Sequence, residues 1–444
     1  MSKQLFGTDG VRGVANADLT AELAFRLGAA AVSVYGKRVV VGRDTRRSGT
    51  MLQSALAAGV TAAGGDALCC GVVPTPAVAM LTGAYQGDCG VVISASHNPP
   101  EYNGIKFFGP DGMKATDEAE AALTEFATRE PFETPLPVGA GVGTVVELPD
   151  AAKDYVDLVV SRAGTSLAGL KVAVDCAHGA SCVSTPAALR RLGAEVVAFN
   201  EDYDGMDINV GCGSTHLGAV REAVLATGAD LGVAHDGDAD RVLFVDANGD
   251  EVDGDFVLAI CAADMKARGA LPVPEVVSTV MCNLGLVRAM REMGIDVVQT
   301  AVGDRFVLQR MLADGANIGG EQSGHIIFLD HNTTGDGLVT AVQLMGIMKR
   351  TGLPLAELAK VMTRFPQSLV NVRTERKSEF ATHPAVVEAI AAEEAVLGDD
   401  GRVLVRASGT EPLVRVMVEA LSEELALGCA ERIAEVVRTS LDGR

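Results

Sequence analysis

A unit of strand, helix and strand occurs three times in the chain and limits the folds that it can adopt. The copies begin at "KRVVVGRD", "LKVAVDCAHGA" and "EVVSTVMCNLG". In each copy an apolar, β-branched strand precedes an amphipathic helix and a second apolar strand, and a later short strand breaks into a polar, Gly-rich loop. Strands that alternate with helices form parallel sheets with covered faces. We therefore predict three related α/β domains, each with one polar loop at an equivalent position.

Segments rich in Pro and Gly indicate the domain boundaries. "EPFETPLPVGAGVGTVVELPD" covers residues 130–150, and "NGDEVDGD" covers residues 248–255. After Pro366 the pattern changes to short strands and one amphipathic terminal helix, which is typical of a small α+β domain. The predicted fold class is α/β, with mixed or parallel sheets in three related domains and a small α+β domain at the C-terminus. The predicted ranges are 1–150, 151–253, 254–367 and 368–444.

Charge and cysteine content restrict the partners and location of the chain. The 444 residues carry a formal net charge of -21, which would repel nucleic acids and anionic membranes. The nine cysteines are scattered without a C-x-x-C motif, so reduced thiols are expected rather than disulfides or a zinc site. No segment has the pattern of a signal peptide or a membrane span. We therefore expect a cytoplasmic protein that binds neither nucleic acid nor membranes.

The segment "HDGDADR" concentrates three carboxylates directly after the apolar "LGVA". Asp236, Asp238 and Asp240 alternate along the chain, so their side chains can converge on one hard cation. An EF-hand is excluded, because Arg241 and Ala247 stand where that loop needs Gly and Glu. An acidic surface turn is the alternative, but three carboxylates this close would repel one another without a metal. The pattern therefore predicts an Mg²⁺ site that serves a phosphate.

The stretch "VVISASHNPP" places Ser96 in a stiff loop after a strand that is expected to be buried. In open α/β sheets, ligands bind at the carboxyl ends of strands. The sequence lacks the G-x-S-x-G pattern of a hydrolase nucleophile, and Pro99 and Pro100 restrict the loop instead. Ser96 could be an ordinary loop serine. A hydroxyl that faces an Mg²⁺ site is, however, suited to carry a phosphoryl group.

Two further loops contain groups suited to a phosphorylated sugar. In "GGEQSGH", Glu321 and Ser323 could bind adjacent sugar hydroxyls, with His325 close behind. The residues of "RASGTEPLVR" that could bind a phosphate dianion are Arg406, Ser408, Gly409, Thr410 and Arg415. These arginines and Arg402 could instead pair with surface acids. Loose repeats occur in many α/β chains, but here the loops carry complementary chemistry.

Seven motifs in the same order resemble those of the α-D-phosphohexomutase family over nearly the whole chain. They are "FGTDGVRG" (6–13), "GRDTRRSG" (42–49), "ISASHNPPEYNGIKFF" (93–108), "DGDADR" (236–241), "VGDRFV" (302–307), "GGEQSGH" (319–325) and "RASGTEPLVRVMVE" (406–419). Seven motifs in one order make a chance agreement negligible. The resemblance implies four domains in a heart-shaped molecule with a central cleft.

The same resemblance implies a role for each matching residue. Ser96 matches the phosphorylated serine. The residues that match the Mg²⁺ ligands, which act together with the serine phosphate, are Asp236, Asp238 and Asp240. Glu321 and Ser323 match sugar contacts, and "RASGT" with Arg415 matches the site of the phosphate that does not react. The candidates for proton handling and charge stabilisation at the transfer site are Arg12, Lys106 and His325.

The expected reaction moves a phosphoryl group between two positions of a sugar. The "EQSG" segment with Gln322 and the "GDRFV" segment resemble those in the branch of the family that acts on glucosamine phosphates. The resemblance then implies interconversion of glucosamine 6-phosphate and glucosamine 1-phosphate, in amino-sugar nucleotide and cell-wall precursor synthesis. The implied cofactors are one Mg²⁺ per subunit and glucosamine 1,6-bisphosphate, as intermediate and activator. The implied partners are a small phosphosugar and, in a homodimer, a second copy of the chain.

Three other functions are compatible with the sequence. A member of the same family could act on mannose or glucose phosphates. A metal-dependent phosphatase of sugar phosphates would also need clustered aspartates and a phosphate site, but it would release inorganic phosphate. A non-catalytic sensor of phosphosugars could lose Ser96 or one of the aspartates, whereas this chain has all of them.

Overall fold

The computed structural model of the chain describes residues 5–7, 9–130, 136–408 and 411–441. The chain forms two compact units. The first unit contains the chain through Met281 and also Gly294–Val361. The second unit contains Cys282–Met293 and the chain from Met362 onward. None of the described helices is long and apolar enough to cross a membrane.

The first sheet of the first unit has six strands. They are β1 (Val11–Val14), β2 (Arg38–Arg43), β3 (Asp66–Val72), β4 (Cys89–Ile93), β5 (Tyr102–Phe108) and β6 (Val145–Glu147), in the order β1-β5-β4-β2-β3-β6. The helices in this part of the chain are α1 (Ala21–Val34), α2 (Arg47–Ala62), α3 (Thr75–Ala84) and α4 (Asp117–Ala127). Strand β2 is parallel to β3 and β4, and β5 is antiparallel to β4 and β1.

Two further sheets of the first unit follow along the chain. The second has the order β11-β10-β9-β7-β8 and consists of β7 (Lys171–Asp175), β8 (Glu195–Phe199), β9 (Leu231–His235), β10 (Val242–Asp246) and β11 (Glu251–Val252). The third has the order β13-β12-β14-β15 and consists of β12 (Glu275–Thr279), β13 (Asp296–Thr300), β14 (Ile318–Gly320) and β15 (Ile326–Phe328). Their helices are α5 (Ala151–Arg162), α6 (Thr185–Arg191), α7 (Gly218–Thr227), α8 (Gly254–Ala267), α10 (Asp304–Asp314), α11 (Gly337–Thr351) and α12 (Leu355–Leu358).

The three sheets share one core arrangement. In each, the first strand of the repeat (β2, β7 or β12) is parallel to both of its neighbours. The third strand (β4, β9 or β14) then pairs with the antiparallel strand that follows it, which is β5, β10 or β15. The chain therefore reverses at the carboxyl end of each third strand, and the three polar loops are these reversals. The predicted fold class is confirmed.

Glycines set the distance between the first two helices. Gly28 on α1 and Gly59 on α2 face each other's helix, and a Cβ atom at either position would lie about 2 Å from a backbone carbonyl oxygen of the other helix: 2.1 Å from Leu56 O and 1.9 Å from Phe25 O respectively. No side chain fits at these distances. The two helices can therefore pack backbone to backbone over the buried strand β2, whose Val39, Val40 and Val41 are inaccessible to solvent.

The second unit is built on a three-stranded antiparallel sheet. Its strands are β16 (Gln367–Arg373), β17 (Arg402–Ala407) and β18 (Leu413–Glu419), in the order β16-β18-β17. Its longer helices are α13 (Pro384–Leu397) and α14 (Glu423–Leu441). The buried face of α14 includes Ala430, Ile433 and Val437, which pack against valines of β18. This is the small α+β domain predicted for the C-terminal part of the chain.

The helix of the third repeat belongs to the second unit. α9 (Leu284–Glu292) begins after Asn283. Asn283 Nδ2 and Leu284 N donate hydrogen bonds of 3.0 and 3.1 Å to the carboxylate of Glu419 on β18. Glu419 is fully buried and also pairs with Arg402 at 2.8 Å. A carboxylate from the last strand therefore accepts hydrogen bonds at the N-terminus of a helix that lies much earlier in the sequence.

Candidate active site

Ser96 lies at the first of the three reversals, between β4 and β5. Its Oγ donates a hydrogen bond of 2.5 Å to Asp236 Oδ2, and only 1% of the residue is exposed. Its backbone has φ of 53°, in the left-handed region that residues with a Cβ seldom adopt. Observed backbone outliers of this kind concentrate at functional sites. The structure thus brings the predicted phosphoryl carrier to the predicted metal cluster across 140 residues of sequence.

The three aspartates that follow β9 form a compact buried cluster. One carboxylate oxygen from each residue lies within 4.8 Å of the other two, so the three could hold a metal ion. Burial and the charges of Asp240 and Asp238 raise the pKa of Asp236 well above its ordinary value. The Oδ1 atoms of Asp238 and Asp240 are buried and have no hydrogen-bond partner. A set of hard oxygen donors with unsatisfied atoms fits a divalent cation.

The three reversals contact one another through their backbones. Each contains a residue with positive φ: Ser96 in the first, Ala239 in the second and Gly324 in the third. Gly324 O accepts a hydrogen bond of 3.1 Å from Val242 N in the second reversal. A Cβ atom on Gly237 would lie 2.7 Å from Ser96 O, so the metal loop packs directly on the serine loop. The equivalent loops therefore meet at one place.

Lys106, on β5, joins the metal cluster to another carboxylate. Its Nζ lies 3.1 Å from Asp238 Oδ2 and 3.5 Å from Asp240 Oδ2. The same atom lies 3.0 Å from Asp9 Oδ2. Burial favours the neutral amine, but Asp238 and Asp9 outweigh this effect and raise the pKa of Lys106. Lys106 is therefore a buried, fixed cation beside the cluster.

Ion pairs continue from Asp9 to His325. Lys114 Nζ lies 2.7 Å from Asp9 Oδ1 and also pairs with Asp304. His325 Nε2 lies 3.5 Å from Asp304 Oδ2, and its Nδ1 lies 3.6 Å from Asp240 Oδ2. Acidic and basic groups thus alternate around a closed circuit. The members of this charged ring are Asp304, Lys114, Asp9, Lys106, Asp240 and His325.

The charged ring contains residues that sequence reasoning missed. Lys106 and His325 were predicted, whereas Asp9, Lys114 and Asp304 were not. Asp9 and Asp304 lie in the motifs "FGTDGVRG" and "VGDRFV", so the motifs were the available signal. Burial disfavours protonated His325, but the hydrogen bond from His325 to Asp240 and the charges of Asp240 and Asp304 raise its pKa.

Two arginines flank the serine loop. Burial is the main cause that lowers the pKa of His97 to about 4, and the charges of Arg241 and Arg12 add to it. His97 Nδ1 lies 3.3 Å from Ser96 Oγ, so both guanidinium groups act close to the serine. Arg12 pairs with Asp9, while the buried Nε atom of Arg241 makes no hydrogen bond and lies 3.9 Å from Asp240 Oδ1. Arg12 was predicted; Arg241 was missed, although it directly follows the last aspartate.

The predicted sugar loop is the third reversal. Glu321 is partly exposed and its Oε1 accepts a hydrogen bond of 3.2 Å from Gly303 N. Ser323 is exposed. The charge of Glu321 also contributes to raising the pKa of Arg241, against the larger opposing effect of burial. Glu321 therefore lies within electrostatic reach of the groups around Ser96.

The predicted phosphate loop lies in the second unit, between β17 and β18. Arg406 and Arg415 are directly opposite each other on these strands. Burial and then the charge of Arg415 lower the pKa of Arg406. Arg415 pairs with Glu411 at 3.0 Å, and Lys377 Nζ donates to Ser408 O at 2.5 Å. Two facing cations favour a bound anion. The predicted Gly409 and Thr410 lie outside the described residues.

His235, the last residue of β9, should make the protein less stable in acid. It is fully buried, and burial lowers its pKa from 6.5 to about 4. The unfolded chain therefore binds a proton between pH 6.5 and about 4 that the folded chain does not, so stability falls as the pH falls. Because of His235, we expect the free energy of unfolding to be about 2 kcal/mol lower at pH 5 than at pH 7. Urea unfolding at both pH values measures this.

The variant His235→Gln isolates the effect. Its free energy of unfolding should depend less on pH than that of the wild type, whatever its stability at pH 7. His216→Gln is the matched control, because His216 is exposed. An unchanged pH dependence in His235→Gln would contradict the prediction.

Four consecutive parts of the chain match one protein family. Sequence models of phosphoglucomutase/phosphomannomutase alpha/beta/alpha domains I, II and III match residues 3–134, 153–249 and 253–365, and the C-terminal domain matches residues 369–436. A relative named phosphoglucosamine mutase from Symbiobacterium thermophilum is 54% identical over 99% of both chains. Another of that name, from Pelotomaculum thermopropionicum, is 56% identical over 94% of both chains.

Solved structures agree with these matches. A phosphoglucomutase/phosphomannomutase family protein of Burkholderia thailandensis has a TM-score of 0.82 and 28% identity, covering 99% of this chain and 98% of its own. N-acetylphosphoglucosamine mutase of Aspergillus fumigatus, solved with GlcNAc-6P and magnesium, has a TM-score of 0.68 and 20% identity, covering 98% and 96%, and shows the fold alone. With four domains matched in order and full-length relatives more than half identical, the chain belongs to the phosphoglucomutase/phosphomannomutase family, the phosphohexomutases indicated by its motifs.

Proposed function

We propose that this chain interconverts glucosamine 6-phosphate and glucosamine 1-phosphate, the reaction of a phosphoglucosamine mutase. The observation that carries the proposal is the 2.5 Å hydrogen bond from Ser96 Oγ to Asp236 Oδ2, inside a cluster of three buried carboxylates. A hydroxyl at this position can carry a phosphoryl group whose charge a cation offsets. The names of full-length relatives at 54% and 56% identity support glucosamine phosphates as the substrates.

The phosphoryl group moves twice. First, the free hydroxyl oxygen of glucosamine 6-phosphate attacks the phosphorus of phospho-Ser96. The new O–P bond forms as the bond to Ser96 Oγ breaks, and the hydroxyl proton passes to a basic group of the site. The glucosamine 1,6-bisphosphate then reorients, Ser96 Oγ accepts the 6-phosphoryl group, and O6 recovers a proton. Glucosamine 1-phosphate leaves, and the phosphoenzyme is regenerated; the bisphosphate also activates enzyme that has lost its phosphate.

The three aspartates of the second reversal would hold one Mg²⁺ together with the phosphate on Ser96. The buried Oδ1 atoms of Asp238 and Asp240, which accept no hydrogen bond, support this assignment. Bound there, Mg²⁺ supplies charge neutralisation and polarises the transferring group. Thr75 Oγ1 donates a hydrogen bond of 2.7 Å to Asp238 Oδ2, and Lys106 binds the same oxygen. These two side chains hold one oxygen of the carboxylate and leave the other, Oδ1, without a hydrogen bond.

Positive groups around Ser96 would stabilise the charge of the transferring phosphoryl group. Arg12 and Lys106 are the predicted ones, and we add Arg241, whose buried Nε makes no hydrogen bond and lies 3.9 Å from Asp240 Oδ1. Phosphoryl transfer depends mainly on positioning and on charge stabilisation of this kind. The charged ring fixes Lys106 and His325 relative to the aspartates. We assign proton handling and charge stabilisation to Arg12, Lys106 and His325.

Each predicted domain would contribute one loop to the reaction. The loops for the serine, metal, sugar and phosphate lie in the proposed domains 1–150, 151–253, 254–367 and 368–444. Glu321 and Ser323 would bind sugar hydroxyls. The phosphate that does not react would be bound by Arg406, Ser408, Gly409, Thr410 and Arg415.

The proposed setting is the cytoplasm, where the product would serve amino-sugar nucleotide and cell-wall precursor synthesis. The chain would act on a small phosphosugar and bind neither nucleic acid nor membranes, as its net charge of -21 favours. We propose a homodimer, which light scattering after size-exclusion chromatography would test.

A comparison of substrates tests the proposed function. Rates are measured with glucosamine, glucose and mannose 6-phosphates at matched concentrations, with Mg²⁺ and the corresponding bisphosphate. We expect the highest kcat/KM with glucosamine 6-phosphate and no stoichiometric release of inorganic phosphate. A preference for glucose or mannose would assign the chain to another branch of the family. Release of one phosphate per substrate would show a phosphatase instead.

Arg415→Ala should weaken substrate binding more than it slows the chemical step. Arg415 would bind the phosphate that stays on the sugar, and a hydrogen bond to a charged group contributes enough for about a 10- to 100-fold rise in KM. Steady-state kinetics with glucosamine 6-phosphate measure this. Arg438→Ala is the control, because Arg438 lies on the surface of α14 in the same unit. An unchanged KM with a reduced kcat would contradict the assigned role.

A further inference from the structure

The carbonyl groups of the Ser96 loop converge on one buried arginine. Arg46 is inaccessible to solvent. One terminal nitrogen, Nη2, donates hydrogen bonds to Ser96 O at 2.9 Å and Asn98 O at 2.7 Å. The other, Nη1, donates to Tyr102 O at 3.1 Å and to Pro99 O. One side chain thus binds three carbonyl oxygens of the loop and that of Tyr102, the first residue of β5.

Arg46 is also held by Asp44, the residue that directly follows β2. Arg46 Nε donates to Asp44 Oδ2 at 2.9 Å, which uses the last of its side-chain donors. Ser94 Oγ also donates to Asp44 Oδ2, at 2.6 Å, and accepts from Ser96 N at 2.9 Å. The backbone N–H and C=O groups of Ser96 are therefore both fixed by contacts that start from the Asp44–Arg46 pair.

A second donor reaches the loop from the segment between β8 and α7. Asn209 Nδ2 lies 2.9 Å from Ser96 O and 3.1 Å from Asn98 O, the two carbonyls that Arg46 Nη2 also binds. Asn209 is 7% exposed and has φ of 63°. On this side Gly237, in the metal loop, leaves no room for a side chain beside Ser96 O. The carbonyl of Ser96 is thus enclosed by Arg46, Asn209 and Gly237.

We propose that Arg46 and Asn209 are positioning residues for phosphoryl transfer. This inference rests on the proposed function. The two side chains hold Ser96 in a left-handed backbone conformation that a residue with a Cβ disfavours, and in that conformation Oγ points at Asp236. Their bonds go to the backbone, so they do not depend on whether Oγ carries a phosphoryl group. The loop therefore presents Oγ in the same place before and after each transfer.

The variant Asn209→Gly tests the inference, because glycine accepts the positive φ while the amide is lost. Asn200→Gly is the matched control: Asn200 also has positive φ and donates its amide at 2.9 Å, but to Asp175. We expect Asn209→Gly to lower kcat about 10²-fold with an unchanged KM for glucosamine 6-phosphate. Amide hydrogen exchange in residues 94–98, without substrate, should become faster by roughly tenfold or more. The control should match the wild type in both measurements.

Arg46→Lys keeps the positive charge beside Asp44 and removes the fork that binds four carbonyls. We expect a lower kcat and faster amide exchange in residues 94–98, as for Asn209→Gly. The fold-decrease in kcat of the double variant should be smaller than the product of the two single decreases, because both side chains act on the same carbonyls. If Arg46→Lys does not fold, Asn209→Gly decides alone. Wild-type kcat in Asn209→Gly, with or without faster exchange, would overturn the inference. A wild-type enzyme without mutase activity would refute the proposed function. In that case, an unchanged rate of amide hydrogen exchange in residues 94–98 of Asn209→Gly would overturn the positioning role independently.

Discussion

Replacing Ser96 with Ala is expected to abolish the interconversion of glucosamine 6-phosphate and glucosamine 1-phosphate. The substituted protein keeps the three aspartates and the residues proposed to bind the substrate, but it has no side-chain oxygen at position 96 to which the phosphoryl group can be attached. Turnover should therefore fall to the background rate, which a coupled assay with purified protein would show. The intact mass of the wild-type protein after incubation with glucosamine 1,6-bisphosphate should include a fraction heavier by one phosphoryl group, and that fraction should be missing in the variant.

Ser54→Ala is the control for this substitution. Ser54 is an exposed serine on α2, whose hydroxyl donates to Thr50 O within the helix. This variant should keep full activity and the phosphorylated mass. Measurable mutase activity in Ser96→Ala, above the rate without enzyme, would end the proposal that this hydroxyl carries the group.

Asp238→Asn should lower kcat by at least about 10³-fold, because the group that transfers would lose a cation held in place. The substitution is nearly isosteric and retains an acceptor for Thr75 and Lys106 at this position. It also removes one of three buried carboxylates, so the metal-free protein should remain folded. In the wild type, Mg²⁺ should raise the melting temperature by binding the folded state. In Asp238→Asn this rise should be lost.

Asp246→Asn is the matched control for Asp238→Asn. Asp246 is a buried aspartate at the end of β10, where its carboxylate accepts hydrogen bonds from Asn248 N and Asp250 N in a turn. Its substitution should reduce stability without removing the Mg²⁺-induced rise in melting temperature. An Mg²⁺-induced rise of wild-type size in Asp238→Asn would refute its role as a metal ligand. EDTA should inactivate the wild type, and Mg²⁺ should restore its activity.

The sequence allowed the architecture to be predicted because its signals are local. Apolar strands, amphipathic helices and polar loops recur at regular spacing, and that spacing determines parallel pairing around β2, β7 and β12. The proximity of Ser96 to the aspartates also followed, since equivalent loops of related domains carried the complementary groups. In these cases one repeated pattern contained the information.

Other features depend on pairs of distant residues that no local pattern connects. Asp9, Lys114 and Asp304 form the charged ring only because separate segments meet at the site. Arg46 lies within the motif "GRDTRRSG", but its hydrogen bonds to backbone carbonyls leave no signal in the sequence. α9 looked like the helix of the third repeat, and its position is determined by Glu419, more than a hundred residues away.

The backbone ties among the three reversals bear on how the intermediate must move. Besides the bond from Val242 N to Gly324 O, Thr75 N donates to Asp238 O at 2.9 Å and Gly337 N donates to Ala239 O at 3.0 Å. The metal loop is thus hydrogen-bonded through its backbone to the first residues of α3 and α11 as well as to the sugar loop, and Asp236 binds Ser96 Oγ of the serine loop. In the proposed reaction the bisphosphate exchanges its two ends. Separating these loops would break the contact between Ser96 and the aspartates that the next transfer needs, so we expect the sugar to turn over while the loops keep their positions.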